Sequence, residues 1–300
     1  MRVLLNDRLV PAARARISAL DRGFLYGDGL FETVRTYGGA PFGLTQHLRR
    51  LARSARFFRI PFDPVLATWH ARVARLLRAN RLDKDDVAVR LTVSRGAGPF
   101  GIVPAQVPHP TTLMIATPLD RRIPEAQARG VHVCFFPYRL VAATLPSHKT
   151  LHYLPAVLGK MLARRAGAWE AIYLGTDDTV LEGTTSNLFA VIGNRLVTPP
   201  LRGILPGVTR SVLARIARHT GIPLVERLLS TRELLRAEEV FLSASTIEVL
   251  PVVRVDRVLI GSGVPGPLTR RLQSAYRAHV RSALRVAARR LPPRSRRGIT

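Results

Sequence analysis

Only three lysines, Lys84, Lys149 and Lys160, stand among the 46 basic residues of this 300-residue chain; arginine supplies the rest. Where positive charge alone is needed the chain uses arginine, so a surviving lysine marks a position where a guanidinium is a poor substitute. An amine can lose its proton and condense with an aldehyde; a guanidinium stays protonated and does neither. Lys84 lies in the acidic turn Leu82-Asp83-Lys84-Asp85-Asp86, a solvated setting. Lys160 falls within an amphipathic helix expected over residues 154–166, beside Arg164 and Arg165. Lys149 sits at a segment boundary, in Pro146-Ser147-His148-Lys149-Thr150-Leu151-His152-Tyr153, from which a side chain can reach into a cleft. Lys149 is therefore the candidate nucleophilic amine; a chance surface lysine is the alternative.

The elements that must position it follow from apolar spacing and turn formers. Residues 3–5 and 8–10 flank Asn6-Asp7, a hairpin signal. Residues 30–37 are rich in β-formers and end at Gly38-Gly39, a second hairpin. Thr45 is the expected N-cap of a helix through Phe58, and another helix is expected over 63–80. Residues 87–93 and 111–117 read as buried strands around a Gly/Pro-rich loop, 95–110, long enough to serve function. Residues 118–120 are the expected linker between a small domain, 1–117, and a larger one, 121–288. In the larger part, strands are expected over 131–136, 170–174, 180–182, 187–192, 196–197 and 240–242. A helix opens at Pro206-Gly207-Val208-Thr209, Ser230 to Glu233 has capping-box spacing, and a last helix covers about 266–286. The mixture reads as α+β with antiparallel strands.

Composition narrows the function classes. Hydrophobic residues make up 47% and charged residues 22%, enough to build a sizeable core. The single cysteine, Cys134, leaves no internal disulfide framework, so a cytoplasmic setting is expected. The N-terminus carries no apolar signal region and no stretch approaches the ~20 apolar residues of a membrane span. The net charge of +26 raises nucleic-acid binding as a non-enzyme alternative, a basic protein on an inactive scaffold. The arginines are scattered, however, and aromatics are only 6%, so no stacking surface stands out and no specific nucleic acid is expected. Residues 289–300 read as a disordered basic tail.

A lysine that condenses with an aldehyde suggests pyridoxal phosphate, and the rest of the chain can be searched for what that group needs. It needs an acid to keep the pyridine nitrogen protonated, so that the ring acts as an electron sink. It also needs a phosphate cradle of helix-start amides, hydroxyls and an arginine. Glu182, in Val180-Leu-Glu-Gly-Thr-Thr-Ser-Asn187, supplies the acid among apolar and small neighbours. The helix start at Thr209 supplies amides and a hydroxyl, and Ser245-Thr246 another hydroxyl after a strand.

In this order the pieces resemble the class IV aminotransferases, the fold type IV pyridoxal-phosphate enzymes. That family includes branched-chain aminotransferases, D-amino acid aminotransferases and aminodeoxychorismate lyases. The resemblance covers about residues 1–285. Its motifs are Asp21-Arg-Gly-Phe-Leu-Tyr-Gly-Asp-Gly-Leu-Phe31-Glu-Thr, His47-Leu-Arg-Arg50-Leu, Lys149-Thr-Leu-His-Tyr153-Leu, Glu182 to Phe189, Leu205-Pro-Gly-Val208-Thr209-Arg, and Phe241-Leu-Ser-Ala-Ser-Thr246. The resemblance implies a two-domain α+β fold, with a small N-terminal α/β domain and a larger domain built on a mixed, barrel-like sheet. It implies Lys149 as the Schiff-base lysine and Glu182 as partner of the pyridine nitrogen. Arg50, Val208, Thr209 and Thr246 become phosphate contacts, Leu205 packs on the ring, and Tyr153 bonds the phenolic oxygen. Arg49, next to Arg50, is expected to face water. His47 is expected to pack structurally, and no metal site is expected. The resemblance also implies a homodimer with the site near the subunit interface.

The reaction is read from the loop Ser94-Arg95-Gly-Ala-Gly-Pro-Phe-Gly-Ile-Val-Pro104. It lacks the Arg-x-His pair of D-amino acid aminotransferases, which argues against that subgroup. The segments around Phe31 and Arg95 look most like aminodeoxychorismate lyases, which release pyruvate and leave 4-aminobenzoate for folate synthesis. The lyase is therefore the expectation, with branched-chain transamination onto 2-oxoglutarate as the alternative. Phe31, Arg35 and Arg95 are the candidate substrate contacts.

Overall fold

A computed structural model describes residues 1–104, 109–140 and 147–290, the last three without their side chains; residues 291–300 of the expected basic tail lie outside it. The first part of the chain contributes β1 (Arg2–Leu5), β2 (Arg8–Pro11), α1 (Arg22–Tyr26), β3 (Gly29–Tyr37), β4 (Ala40–Pro41), α2 (Leu44–Phe57), α3 (Leu66–Ala79), β5 (Val87–Ser94) and β6 (Thr111–Pro118). Its strands form one sheet in the order β2-β1-β6-β5-β3-β4. In β5, Val87, Val89, Leu91 and Val93 face inward, alternating with Ala88, Arg90 and Thr92. The inward set packs with Leu30 and Val34 of β3 against Leu44, Leu48 and Leu51 of α2 and Trp69, Val73, Leu76 and Leu77 of α3. The opposite face of the sheet is left for other work. Period-2 alternation thus decides which side chains hold the core and which can reach a ligand.

The remainder contributes α4 (Ile123–Arg129), β7 (Val131–Leu140), α5 (Leu154–Arg165), β8 (Glu170–Gly175), β9 (Val180–Gly183), β10 (Asn187–Ile192), β11 (Arg195–Thr198), α6 (Val208–His219), β12 (Leu224–Glu226), α7 (Thr231–Leu235), β13 (Glu239–Ala244), β14 (Glu248–Val255), β15 (Val258–Leu259) and α8 (Pro267–Arg290). Its main sheet runs β12-β11-β10-β13-β14-β7-β8-β9, with β15 on β14, and curls into a half-barrel. The sheet is mixed: β14 with β7 and β7 with β8 are parallel, whereas β10, β13 and β14 are antiparallel. α6 and α8 cover one side through Val212, Leu213, Leu272 and Tyr276, packed on Phe189 and Phe241. Leu229, Leu234 and Ala237 close a second core with Val133, Leu188 and Leu250.

The structure corrects some expected boundaries. The α2 N-cap is Gly43, at φ 68°, not Thr45, and it provides no side-chain cap. A glycine adopts this left-handed conformation without a Cβ penalty, so the turn out of β4 is tightened by two residues. α3 begins at Leu66, because Asp63 is used outside the helix: its carbonyl accepts from Trp69 Nε1 at 2.7 Å. The capping box at Ser230 and Glu233 is present in full. β14 was not among the expected strands, although it lies inside the main sheet between β13 and β7.

Candidate active site

Segment 147–153 carries Lys149 across the edge of β3. The Phe31 N–H donates to the Lys149 carbonyl at 2.9 Å, and Leu151 N–H donates to Gly29 carbonyl at 2.9 Å. His148, one residue earlier, is fixed by Ser54 Oγ at 2.9 Å and by stacking on Phe57, ring centroids 4.5 Å apart. These contacts pin the lysine backbone and send its side chain into a cavity of 570 Å³ between the two sheets. Lys149 Nζ lies 4.5 Å from the Phe31 ring centre and 5.7 Å from that of Tyr153. Removal from water, then the nearby Arg50 charge, lowers its amine to about 8.

Glu182, on β9, enters the same cavity. Its carboxylate accepts from Leu205 N–H at 3.1 Å and from Asn187 Nδ2 at 2.9 Å, and the same Nδ2 donates to the Leu205 carbonyl at 2.8 Å. Leu205 is thus locked beside the acid by its own backbone. Burial outweighs these contacts and raises the Glu182 carboxyl to about 8. A carboxyl in that state is matched by a ligand that brings a cationic nitrogen.

A different glutamate organises the basic part of the site. Buried Glu32 accepts from Arg50 Nε at 2.7 Å and Nη2 at 2.6 Å, and lies 2.7 Å from His47 Nδ1. Burial alone would raise Glu32, but Arg50 and then His47 hold it at about 2. Arg50 Nη1 also donates to the Pro206 carbonyl at 2.9 Å, which ties α2 to the start of α6. Arg49, beside it, is exposed. At that start Gly207 is the N-cap and provides no side chain, so the first amides of α6, at Val208 and Thr209, are not capped by a side chain. A Cβ on Gly207 would strike the Asn187 side-chain oxygen, so the close approach requires glycine. Thr246, Ser245 and Ser243 line the same cavity, and Ser243 Oγ is buried without a partner among the described residues. Helix-start amides, hydroxyls and an arginine form a cradle suited to a phosphate. Together with Lys149 and Glu182, they fit pyridoxal phosphate.

The cavity's other wall is aromatic. Phe31 and Tyr153 meet edge-on, centroids 5.0 Å apart, and Tyr173 is nearby. Burial pushes the Tyr153 phenol up to about 12, so it remains a proton donor. Behind Phe31 stands Arg90, its guanidinium 3.7 Å from the ring centre. Arg90 belongs to the non-core face of β5, lines the cavity, and has no carboxylate partner among the described residues. Sequence reasoning missed it; period-2 alternation in Val-Ala-Val-Arg-Leu-Thr-Val was the available signal.

Two expected substrate contacts do not reach the cavity. Arg35 pairs with Asp86 at 3.1 Å and Glu248 at 3.3 Å and donates to the Thr246 carbonyl at 3.1 Å. Arg95 pairs with Asp28 at 2.7 Å and donates to the Phe58 and Arg59 carbonyls, both at 2.9 Å. Acids distant in sequence have claimed both guanidinium groups. Phe31, the third such residue, does line the cavity. So do Arg50, Lys149, Tyr153, Glu182, Leu205, Val208, Thr209 and Thr246. Among the described residues, no group of three His, Cys, Asp or Glu is placed to hold a metal ion.

Residues 29–255 match the amino-transferase class IV family. A putative branched-chain-amino-acid aminotransferase of Methanocaldococcus jannaschii is 36% identical over 279 residues, 92% of this chain and 96% of that protein. The D-alanine aminotransferase of Bacillus licheniformis is 32% identical, over 94% of this chain and 98% of its own. The crystal structure of the branched-chain aminotransferase of the archaeon Thermoproteus uzoniensis with norvaline superposes with a TM-score of 0.84 at 30% identity, covering 93% of this chain and 94% of that one.

Proposed function

The chain belongs to the class IV aminotransferases, enzymes that use pyridoxal phosphate, and from that premise we propose that it transfers the amino group of branched-chain L-amino acids to 2-oxoglutarate. One observation carries the substrate reading: the wall facing Lys149 is built of Phe31, Tyr153 and Tyr173, with Arg90 as its one cation lacking a carboxylate partner among the described residues. An apolar side chain fits against the rings, and a carboxylate, of the donor or of the second acid of 2-oxoglutarate, fits Arg90. The likeness to two proteins named for branched-chain substrates supports the same reading.

When bound, the cofactor supplies an aldehyde carbon for an amine and a pyridinium that draws off the electron pair left by a broken substrate C–H bond. The chain's residues take the remaining roles. In this reading Lys149 would be the amine that holds the cofactor and would move a proton at the substrate carbon. An amine near 8 can accept and return a proton close to neutral pH. Glu182 would hold the ring nitrogen in its charged form, and Leu205, whose N–H donates to the same carboxylate, would pack on the ring. Arg50, the α6 start at Val208 and Thr209, and Thr246 would hold the phosphate. Tyr153 would donate to the phenolic oxygen.

Two of the substrate contacts offered with the lyase expectation, Arg35 and Arg95, are committed elsewhere. The named relatives are transaminases, which supports the branched-chain alternative better. Incubation with L-leucine and 2-oxoglutarate is expected to form glutamate and the oxo acid of leucine. A higher kcat/KM for D-alanine, or turnover of aminodeoxychorismate alone, would overturn this reading. We further propose a homodimer, with residues 118–120 joining two domains in each subunit, in the cytoplasm. Its support is exposed apolar surface at Phe24, Phe100, Ile102 and Val103 and along α5 at Leu154 and Met161. Equilibrium sedimentation at the mass of one chain would refute the dimer.

A further inference from the structure

Arg35 does not reach the cavity, but it grips the turn that does. From β3 its guanidinium crosses to the other sheet, donating to the Thr246 carbonyl at 3.1 Å and pairing with Glu248 at 3.3 Å. Glu248 is 4% exposed and gathers groups from three elements, β3, α4 and α8. Tyr37 Oη, also on β3, donates to it at 2.8 Å; Gln127 Nε2 of α4 lies at 3.3 Å and Arg277 Nε of α8 at 3.2 Å. Glu248 adopts φ 55°, a left-handed conformation that a non-glycine residue holds only when its surroundings impose it. It directly follows the Ser245-Thr246-Ile247 turn, whose first two residues line the cavity together with Ser243 and Ala244. β3 therefore serves the site twice: Phe31 and Thr33 line the cavity, and Arg35 and Tyr37 hold the opposing turn.

We propose that Arg35, acting through the Thr246 carbonyl and Glu248, is a positioning residue that sets residues 243–246, the end of β13 and the turn after it, against the cofactor phosphate. The proposal rests on the pyridoxal-phosphate reading of the cavity. A lysine in its place keeps the pair with Glu248 but cannot reach Glu248, Asp86 and the Thr246 carbonyl with one planar fork. A double substitution, Arg35→Met with Glu248→Gln, removes both buried charges together while an amide oxygen remains to accept from Tyr37, Gln127 and Arg277. Removing both partners of an ion pair avoids the uncompensated buried charge that a single substitution leaves, whereas the tether to Thr246 is still lost.

The test is a titration of the wild type and these variants with pyridoxal phosphate, followed by visible absorption, alongside amide hydrogen exchange across 243–247 and thermal unfolding. The expected result is cofactor binding weakened about tenfold in Arg35→Met, the loss of roughly one charge-assisted hydrogen bond, and a smaller loss in Arg35→Lys. Exchange across 243–247 should quicken in both. The double variant should unfold near the wild-type temperature and still bind weakly. If it recovers wild-type affinity along with its stability, Arg35 only supports the fold and the inference fails. Equal binding by the wild type and Arg35→Met also overturns this inference alone. A wild type that binds no pyridoxal phosphate overturns the reading of the cavity and this inference with it.

Discussion

Glu32 and Glu182 both serve the cavity, one through Arg50 and the other directly, and their carboxyls stand at about 2 and about 8. Burial raises both. Glu32 is overcompensated by two basic side chains within 2.7 Å, whereas Glu182 meets an amide, a backbone N–H and only distant positive charge. The contrast separates a finished ion pair from an unfinished one. Glu32 belongs to the scaffold that fixes Arg50 and His47. Glu182 and Lys149 carry displaced proton affinities that a ligand can put to use, the pattern expected of reacting groups.

Substitutions at these positions should keep the two classes apart. The largest effect is expected for Lys149→Ala: turnover of L-leucine should fall by at least about a thousandfold, and near-wild-type activity would sink the assignment of the amine. Next comes Glu182→Ala, for which kcat should drop about a hundredfold while the cofactor stays bound, as checked by steady-state kinetics and absorption of the desalted protein. Glu182 also gives a signed pH effect. Its folded value of about 8 lies above the ordinary 4.5, so the folded chain binds the extra proton and loses stability as pH rises from about 4.5 to 8. Urea unfolding of the cofactor-free chain should show that slope, and Glu182→Gln should flatten it.

Glu32→Gln should act on the fold more than on chemistry. Leaving Arg50 buried without its carboxylate costs about 3 kcal/mol, readable as a lower urea midpoint. The sign is opposite to that of Glu182: the stability Glu32 contributes is present above about 4.5 and lost as pH falls toward 2. The smallest effect is expected for Arg90→Ala, a KM for 2-oxoglutarate raised about tenfold with stability little changed. Arg95→Ala should reverse that pattern, lowering stability with KM unchanged, because its guanidinium serves Asp28 and two carbonyls.

The residues around the amine were legible because their motifs are local. Lys149, Glu182, Leu205 and Gly207 to Thr209, which the fold brings to one cavity, each lie in a short run of the sequence, and the scarcity of lysine singled out the first. Arg50 was separable from Arg49 only through the family pattern, which the fold explains by turning one inward and the other to water. What was not legible depends on distant pairing. Arg35 and Arg95 look like free cations in sequence, yet their acids lie at Asp86, Glu248 and Asp28, brought close by strand register and by the packing of the two sheets. β14 escaped notice although it is rich in valine, because Pro251, which cannot donate to a ladder, interrupts the run, and the strand nonetheless lies between β13 and β7. Arg90 was hidden by the reverse error: a charged residue within a β-pattern reads as solvent-facing, and here that face looks onto the cavity.

The most direct test of the assigned chemistry is the visible absorption of the purified protein as L-leucine, L-glutamate, D-alanine and aminodeoxychorismate are added in turn. A yellow protein bleached by L-leucine or L-glutamate is the expected result. A colourless protein, or a yellow one silent to all three amino acids that forms 4-aminobenzoate from aminodeoxychorismate, would contradict it.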